Sequence, residues 1–224
     1  MSEAQDPRRA ALEQAASQLG EMLAPPAVDR LLAYLDLLQR WNKTYNLTAV
    51  RDSQEMLVQH LFDCLAVVNP LRRQAGSGGR LLDVGSGGGL PGVVIAATCP
   101  QWQVVCVDTV GKKAAFIRQV AVELQLTNLR AEHARVEQLA PGGFDVVTSR
   151  AFASLADFVT LTRAQLSPQG IWLAMKGKQP TDELAALPSD VDVFHVEQLS
   201  VPQLAAERCL VWMRPMVPAS SKGS

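Results

Sequence analysis

The sequence predicts an α/β protein, a doubly wound and mostly parallel sheet with helices on both faces, preceded by a helical extension. Three observations carry this. Residues 1–74 space their apolar side chains at helical intervals. After Arg80, short apolar runs alternate with helical segments, the rhythm of strand–helix–strand units. At 81–92 the chain reads LLDVGSGGGLPG, an apolar run, an acid and five glycines in nine residues. Such a loop joins a buried strand to a helix around a ligand.

Each element follows in order. In 28–41, Val28, Leu31, Leu32, Leu35, Leu38 and Trp41 recur at helical spacing, with Pro25 and Pro26 at the start. Residues 54–68 repeat the pattern with Leu57, Leu61, Cys64, Leu65 and Val68, and WNKTYNLTAVRD between them reads as a loop. QAGSGG at 74–79 reads as a linker. RLLDV (80–84) is the first strand, and Pro91 to Thr98 a helix with proline near its first turn. QVVCVD (103–108) is the second strand. A helix over 111–126 turns Ala115, Phe116, Val120, Val122 and Leu126 mostly inward. LRAEHA (129–134) and FDVVTSR (144–150) are the next strands, 155–166 a helix, and IWLAMK (171–176) the fifth strand. VDVFHVEQLSV and RCLVWMRP close the sheet as an antiparallel pair. The expected division is a helical extension over 1–77, a nucleotide-binding-type sheet domain over 78–215 and a flexible tail over 216–224.

Composition narrows the function. An apolar content of 48% supports one sizeable core with a small accessory unit and excludes a wholly disordered chain. The net charge is −1, so any nucleic-acid site must come from a local basic cluster. The N-terminus has no apolar run typical of a signal, and VVIAATC at 93–99 is far too short to span a bilayer. Cys64, Cys99, Cys106 and Cys209 show no CxxC spacing and read as reduced core residues of a cytoplasmic protein. The histidines at 60, 133 and 195 form no metal-binding pattern.

The glycine loop admits two frames. Gly87-Gly88-Gly89-Leu90-Pro91-Gly92 fits GxGxxG, with Asp108 ending the next strand, as a dinucleotide site requires. The other frame is Asp83-x-Gly85-x-Gly87-x-Gly89. A carboxylate about 4 Å from a pyrophosphate charge costs about 1–4 kcal/mol, whereas it attracts the sulfonium and ammonium groups of S-adenosyl-L-methionine. The sign of the Asp83 charge favours that donor, and Asp108 suits ribose hydroxyls in either frame.

Several linked motifs, DVGSGGGLPG, VDTVGKKAAFIRQV, VVTSRAFASL and MKGK, resemble the RsmG (GidB) family, as do the upstream WNKTYNLTAV and HLFDCLAV. The likeness runs over about residues 30–212. It implies a class I, Rossmann-like methyltransferase fold that uses S-adenosylmethionine to methylate N7 of one guanine in bacterial 16S rRNA near the decoding centre. Cys64 stands where serine is common in that family, and Leu90 where phenylalanine is common. The resemblance further implies that Gly85 and Leu90 frame the donor, that Asp108, Thr109 and Val110 meet ribose and adenine, that Val136 and Glu137 border the adenine, and that Arg150 belongs to the donor set.

Guanine N7 carries a lone pair and no proton, so the reaction needs positioning rather than a general base. After the fourth strand the sequence reads Ser149-Arg150-Ala151-Phe152, where enzymes that methylate amino groups carry an Asn/Asp-Pro-Pro-aromatic loop. This favours a ring nitrogen. RNA candidates are Lys112, Lys113, Arg118, Lys176 and Lys178, with Phe152 able to stack on a flipped base. Arg150 and Lys176 are the positioning candidates, Asn46 and His60 are further residues of interest, and no catalytic base is assigned. The expected partner is 16S rRNA, free or in the small subunit, with no membrane and no metal, and the protein acting as a monomer. A small-molecule methyltransferase, a dinucleotide-dependent oxidoreductase and a non-catalytic binding module stay open at this point.

Overall fold

Every strand expected from the apolar runs is present in the computed structural model, which describes residues 6–150 and 152–216. Strands β1 (Gly79–Val84), β2 (Trp102–Asp108), β3 (Leu129–His133), β4 (Phe144–Ser149) and β5 (Leu166–Lys176) run parallel. β6 (Val191–Leu199) and β7 (Arg208–Pro215) pair antiparallel, and the sheet order is β3-β2-β1-β4-β5-β7-β6. Strand order reverses between β1 and β4, which opens a crevice at their C-terminal ends.

Alternation along each strand loads both faces. Leu81, Val104, Val146, Leu173 and Trp212 enter one apolar cluster, and Leu82, Val107, Val147, Trp172 and Val211 the other. Helices α6 (Gly92–Thr98) and α7 (Gly111–Glu123) cover the first face, and α8 (Leu155–Thr162) and α9 (Thr181–Ala185) the second.

The leader joins the first face rather than standing apart from it. It comprises α1 (Pro7–Gln18), α2 (Pro25–Tyr45), a helical stretch of α3 (Ser53–Met56), a π turn (Leu57–Phe62) and α4 (Asp63–Leu65), and then α5 (Val68–Ala75). Leu31, Leu35 and Leu38 of α2 share one cluster with Val94 and Ile117. Each buried leucine contributes about 2 kcal/mol. Tyr34, fully buried, donates its hydroxyl to the Gly88 carbonyl at 2.7 Å, so α2 holds the glycine loop directly. Tyr34→Phe is expected to cost about 1 kcal/mol and lower the melting temperature by about 2–4 °C, read by thermal denaturation.

Several boundaries differ from expectation. α2 runs on to Tyr45 and stops at Asn46, whose φ of 50° is a left-handed cap. Only Asn46–Asp52 is therefore loop. The linker shrinks to residues 76–78, between α5 and β1. Ala115 and Val122 face solvent, while Ala114 and Ile117 fill the inward stripe with Phe116 and Val120. β5 begins at Leu166, because the chain slips register against β4 between Phe144 and Val146 and resumes pairing at Ile171. The expected flexible tail lies outside the described residues apart from Met216, whose N–H donates to the Asp190 carbonyl. All four cysteines are free and buried. No helix among the described residues is long and apolar enough to cross a membrane.

Candidate active site

β1 ends beneath the glycine loop. Gly85 and Gly87 hold φ of 65° and 58°, a region that other residues rarely enter, and a Cβ on either would project into open space. Gly89 turns the chain into α6, and its carbonyl accepts the Val93 N–H. The loop's own amides are already engaged. Gly85 and Ser86 donate to the Val107 carbonyl, Gly89 and Leu90 to the Ser86 carbonyl, and Gly87 to Asp108 Oδ2 at 2.9 Å. A pyrophosphate binds such a loop through free amides, and this loop offers few.

The structure corrects the role of Asp83. Its carboxylate is fully enclosed, lines none of the pockets described below, and accepts the Gly92 N–H on Oδ2 at 2.8 Å. Oδ1 has no hydrogen-bond partner. The carboxylate lies behind the loop rather than on a pocket wall. Burial pushes its pKa up to about 7, the Gly92 amide and Arg150 pulling down and Asp108 pushing up. For an acid whose folded pKa is raised, the folded state keeps a proton that the unfolded chain has lost. Its contribution to stability is fully present below the ordinary value of 3.8 and is lost as pH rises through about 7. Asp83→Asn, which retains an acceptor for Gly92, is expected to raise the melting temperature at pH 8, the gain shrinking toward pH 5. Titration should show weaker binding of S-adenosylhomocysteine by the same variant at pH 8. Identical melting profiles for the two proteins across this range would remove Asp83 as a buried charge.

Three contiguous pockets open at the C-terminal ends of the strands. The first, about 370 Å³, has Gly85, Asp108, Thr109, Val110, Val136 and Glu137 on its walls. Asp108 takes the Val110 N–H on Oδ1 at 2.8 Å as well as Gly87 on Oδ2, and Lys113 Nζ lies 3.9 Å away. The middle pocket, about 140 Å³, lies under Leu38 and Leu47 of the leader and over Gly85, Gly87 and Leu90. The outer pocket, about 350 Å³, is lined by His60, Asp63, Arg150, Lys176 and Arg208. His60 and Arg150 border both the middle and outer pockets.

Asp63, Arg208, Gln59, Thr48 and Glu183 were absent from the sequence-derived set. Asp63 is 2% exposed and accepts Arg208 Nε on Oδ1 at 2.8 Å and Arg150 Nη1 on Oδ2 at 3.3 Å. Arg150 also donates to the Gln59 carbonyl, within the π turn, an irregularity frequent at functional sites. Lys176 donates to Glu183 at 2.7 Å and to the Phe152 carbonyl. Thr48 Oγ1 lies 3.0 Å from His60 Nε2, and burial together with Arg150 pushes His60 down to about 4, against the Gln59 backbone and Asp63, which raise it. His60 is therefore neutral at pH 7. The one signal available was His60 and Asp63 at i and i+3, which share a helix face. Arg208 arrives because β7 pairs with β5 in the register Lys176↔Cys209.

The RNA candidates divide. Lys113 and Lys176 line pockets, and Phe152 lines the first pocket with its ring 5.3 Å from that of Phe158. Arg118 lines none of the three, since its Nε donates to the Ala131 carbonyl on the outer strand β3. That position corrects its assignment to the crevice. Lys112 and Lys178 are exposed outside these walls, and Asn46 accepts a hydrogen bond from Arg51. Among the described residues no group of three or more His, Cys, Asp or Glu gathers as a metal site.

A family model described as rRNA small subunit methyltransferase G (GidB) matches residues 27–211. The chain belongs to this family. The family's curated members include "Ribosomal RNA small subunit methyltransferase G" of Leptothrix cholodnii, 63% identical over 216 residues, with 96% of this chain and 99% of that protein covered. The protein of the same name from Methylibium petroleiphilum is 63% identical over 203 residues, covering 90% and 92%. Among solved structures, Burkholderia thailandensis 1,6-didemethyltoxoflavin-N1-methyltransferase aligns with a TM-score of 0.57 at 15% identity, covering 87% of this chain and 92% of that one. TrmN from Thermus thermophilus aligns at 0.53 and 18%, covering 71% and 53%. At these identities the structures bear on the fold alone, and it is that of class I methyltransferases. For the family's methyl donor, S-adenosylmethionine, the open faces of Gly85 and Gly87, the engaged loop amides and the Asp108 carboxylate on the first pocket's wall form a fitting site.

Proposed function

We propose that this chain methylates N7 of a guanine in the 16S rRNA of the small ribosomal subunit, near the decoding centre, acting in the cytoplasm as a monomer. Membership of the rRNA small subunit methyltransferase G family supports the substrate class. In this reading residues 78–215 carry the chemistry and 1–77 brace the loop. Asp108 and Thr109 hold the ribose, Val110, Val136 and Glu137 border the adenine, and Gly85, Gly87, Leu90 and Arg150 surround the methionine end. S-adenosylmethionine supplies a sulfonium methyl: the N7–CH₃ bond forms, the S–CH₃ bond breaks, and its electron pair stays on sulfur as a thioether.

One observation supports the choice of a ring nitrogen: among the described residues at the outer pocket, neither carboxylate is left unpaired. Both oxygens of Asp63 are held by arginines. Glu183 is held by Lys176 and by the Leu155 N–H. His60 Nε2 faces Thr48, and Nδ1 is buried without a partner on a ring whose pKa burial lowers to about 4, which makes it a weak base. An exocyclic amine must shed a proton, which such an acceptor would take, whereas N7 has none to lose. Small subunits from cells lacking the protein should be incubated with it and labelled S-adenosylmethionine, then digested for mass spectrometry. The expected product is 7-methylguanosine at one position, and label only in an amino-methylated nucleoside would contradict the proposal.

A further inference from the structure

We propose that the outer pocket is the acceptor-nucleotide site and that Asp63 and Arg208 build it, Asp63 by orienting two arginines and Arg208 by holding the nucleotide's 5′ phosphate. The assignment rests on the guanine-N7 reading and deepens it. Asp63 is almost wholly buried and spends one oxygen on Arg208 Nε and the other on Arg150 Nη1. Both guanidinium planes are thereby oriented, and among the described residues Nη2 of each has no hydrogen-bond partner. These are free donors on the pocket wall.

Their positions divide the work. Arg150 borders both the middle and outer pockets, so it stands where donor and acceptor meet. On guanine the atom beside N7 is O6, a hydrogen-bond acceptor, where adenine presents an amino group instead. Arg150 Nη2 donates to O6 and discriminates against adenine. Arg208 and Lys176 border the outer pocket but not the middle one, and face the phosphate. Charge agrees with this. Three cations meet two carboxylates, Asp63 and Glu183, leaving one positive charge for a phosphate to match. N7 methylation puts a positive charge on the base, which a neutral His60 does not oppose.

The test uses the full chain and small subunits lacking the mark. Arg208→Gln is expected to raise KM for subunits at least about tenfold while binding of S-adenosylhomocysteine stays within about twofold. The slope of log(kcat/KM) against log salt should fall by about one, as loss of one phosphate contact requires. Asp63→Asn should raise KM likewise, and Arg208, being partly exposed, provides the test should the Asp63 variant not fold. Unchanged subunit kinetics in Arg208→Gln, or an equal loss of S-adenosylhomocysteine binding, would overturn the assignment. Wild type leaving the subunits unlabelled would instead defeat the guanine-N7 reading itself.

Discussion

Asp108→Ala is expected to lower affinity for S-adenosylhomocysteine by about 100-fold or more. The carboxylate holds the loop from below through Gly87 N–H at 2.9 Å and the start of α7 through Val110 N–H at 2.8 Å. Hydrogen bonds to a charged group contribute about 1.5–3 kcal/mol each, and about 1.4 kcal/mol is a tenfold change in binding. Alanine removes both bonds together with the proposed ribose partner. Asp108→Asn, which keeps an acceptor oxygen but not the charge, should fall between the two. Isothermal titration reads the affinities, with circular dichroism confirming that the variants fold. A loss smaller than about threefold in Asp108→Ala would remove Asp108 from the site.

Gly92→Ala is expected to be strongly destabilising. A Cβ there would lie 2.5 Å from Cys106 Sγ and 3.0 Å from Asp83 Oδ2. Both neighbours are fully buried on central strands and cannot yield. Overpacking of this kind costs about 1–3 kcal/mol. The displaced amide would also leave Asp83 without its one backbone hydrogen bond, at a further cost of about 1–3 kcal/mol. For a chain of this size the melting temperature should drop by about 10 °C. Adding Cys106→Ala removes the sulfur and should restore part of the loss. A Gly92→Ala protein melting within about 2 °C of wild type would show that the loop has room it does not display.

The strands and the loop were legible because their signals are local. RLLDV, QVVCVD and FDVVTSR announce buried strands by short apolar runs, and the glycines announce a turn that needs positive φ. The sequence places a helix over 111–126, where α7 ends at Glu123, and turns Ala115 and Val122 inward, since apolar content alone does not tell which stripe meets the sheet. The acid–x–glycine pattern of Asp83 looks the same whether the carboxylate points into the crevice or beneath the loop, and only the fold places it beneath.

Of the outer pocket the sequence singles out Arg150, Lys176 and His60, but not Asp63 or Arg208. Asp63 and Arg208 lie 145 residues apart and meet because β7 returns between β5 and β6 and starts beside the end of β5. The sequence alone determined the alternating architecture, the glycine loop and, through its linked motifs, the family. Those depend on steric and apolar periodicities that act between near neighbours in the chain. Tertiary structure decided which carboxylates are buried, which arginines they hold and which cations are left open to a substrate. Burial and ion pairing depend on the register and crossing of distant segments, which no local stretch encodes.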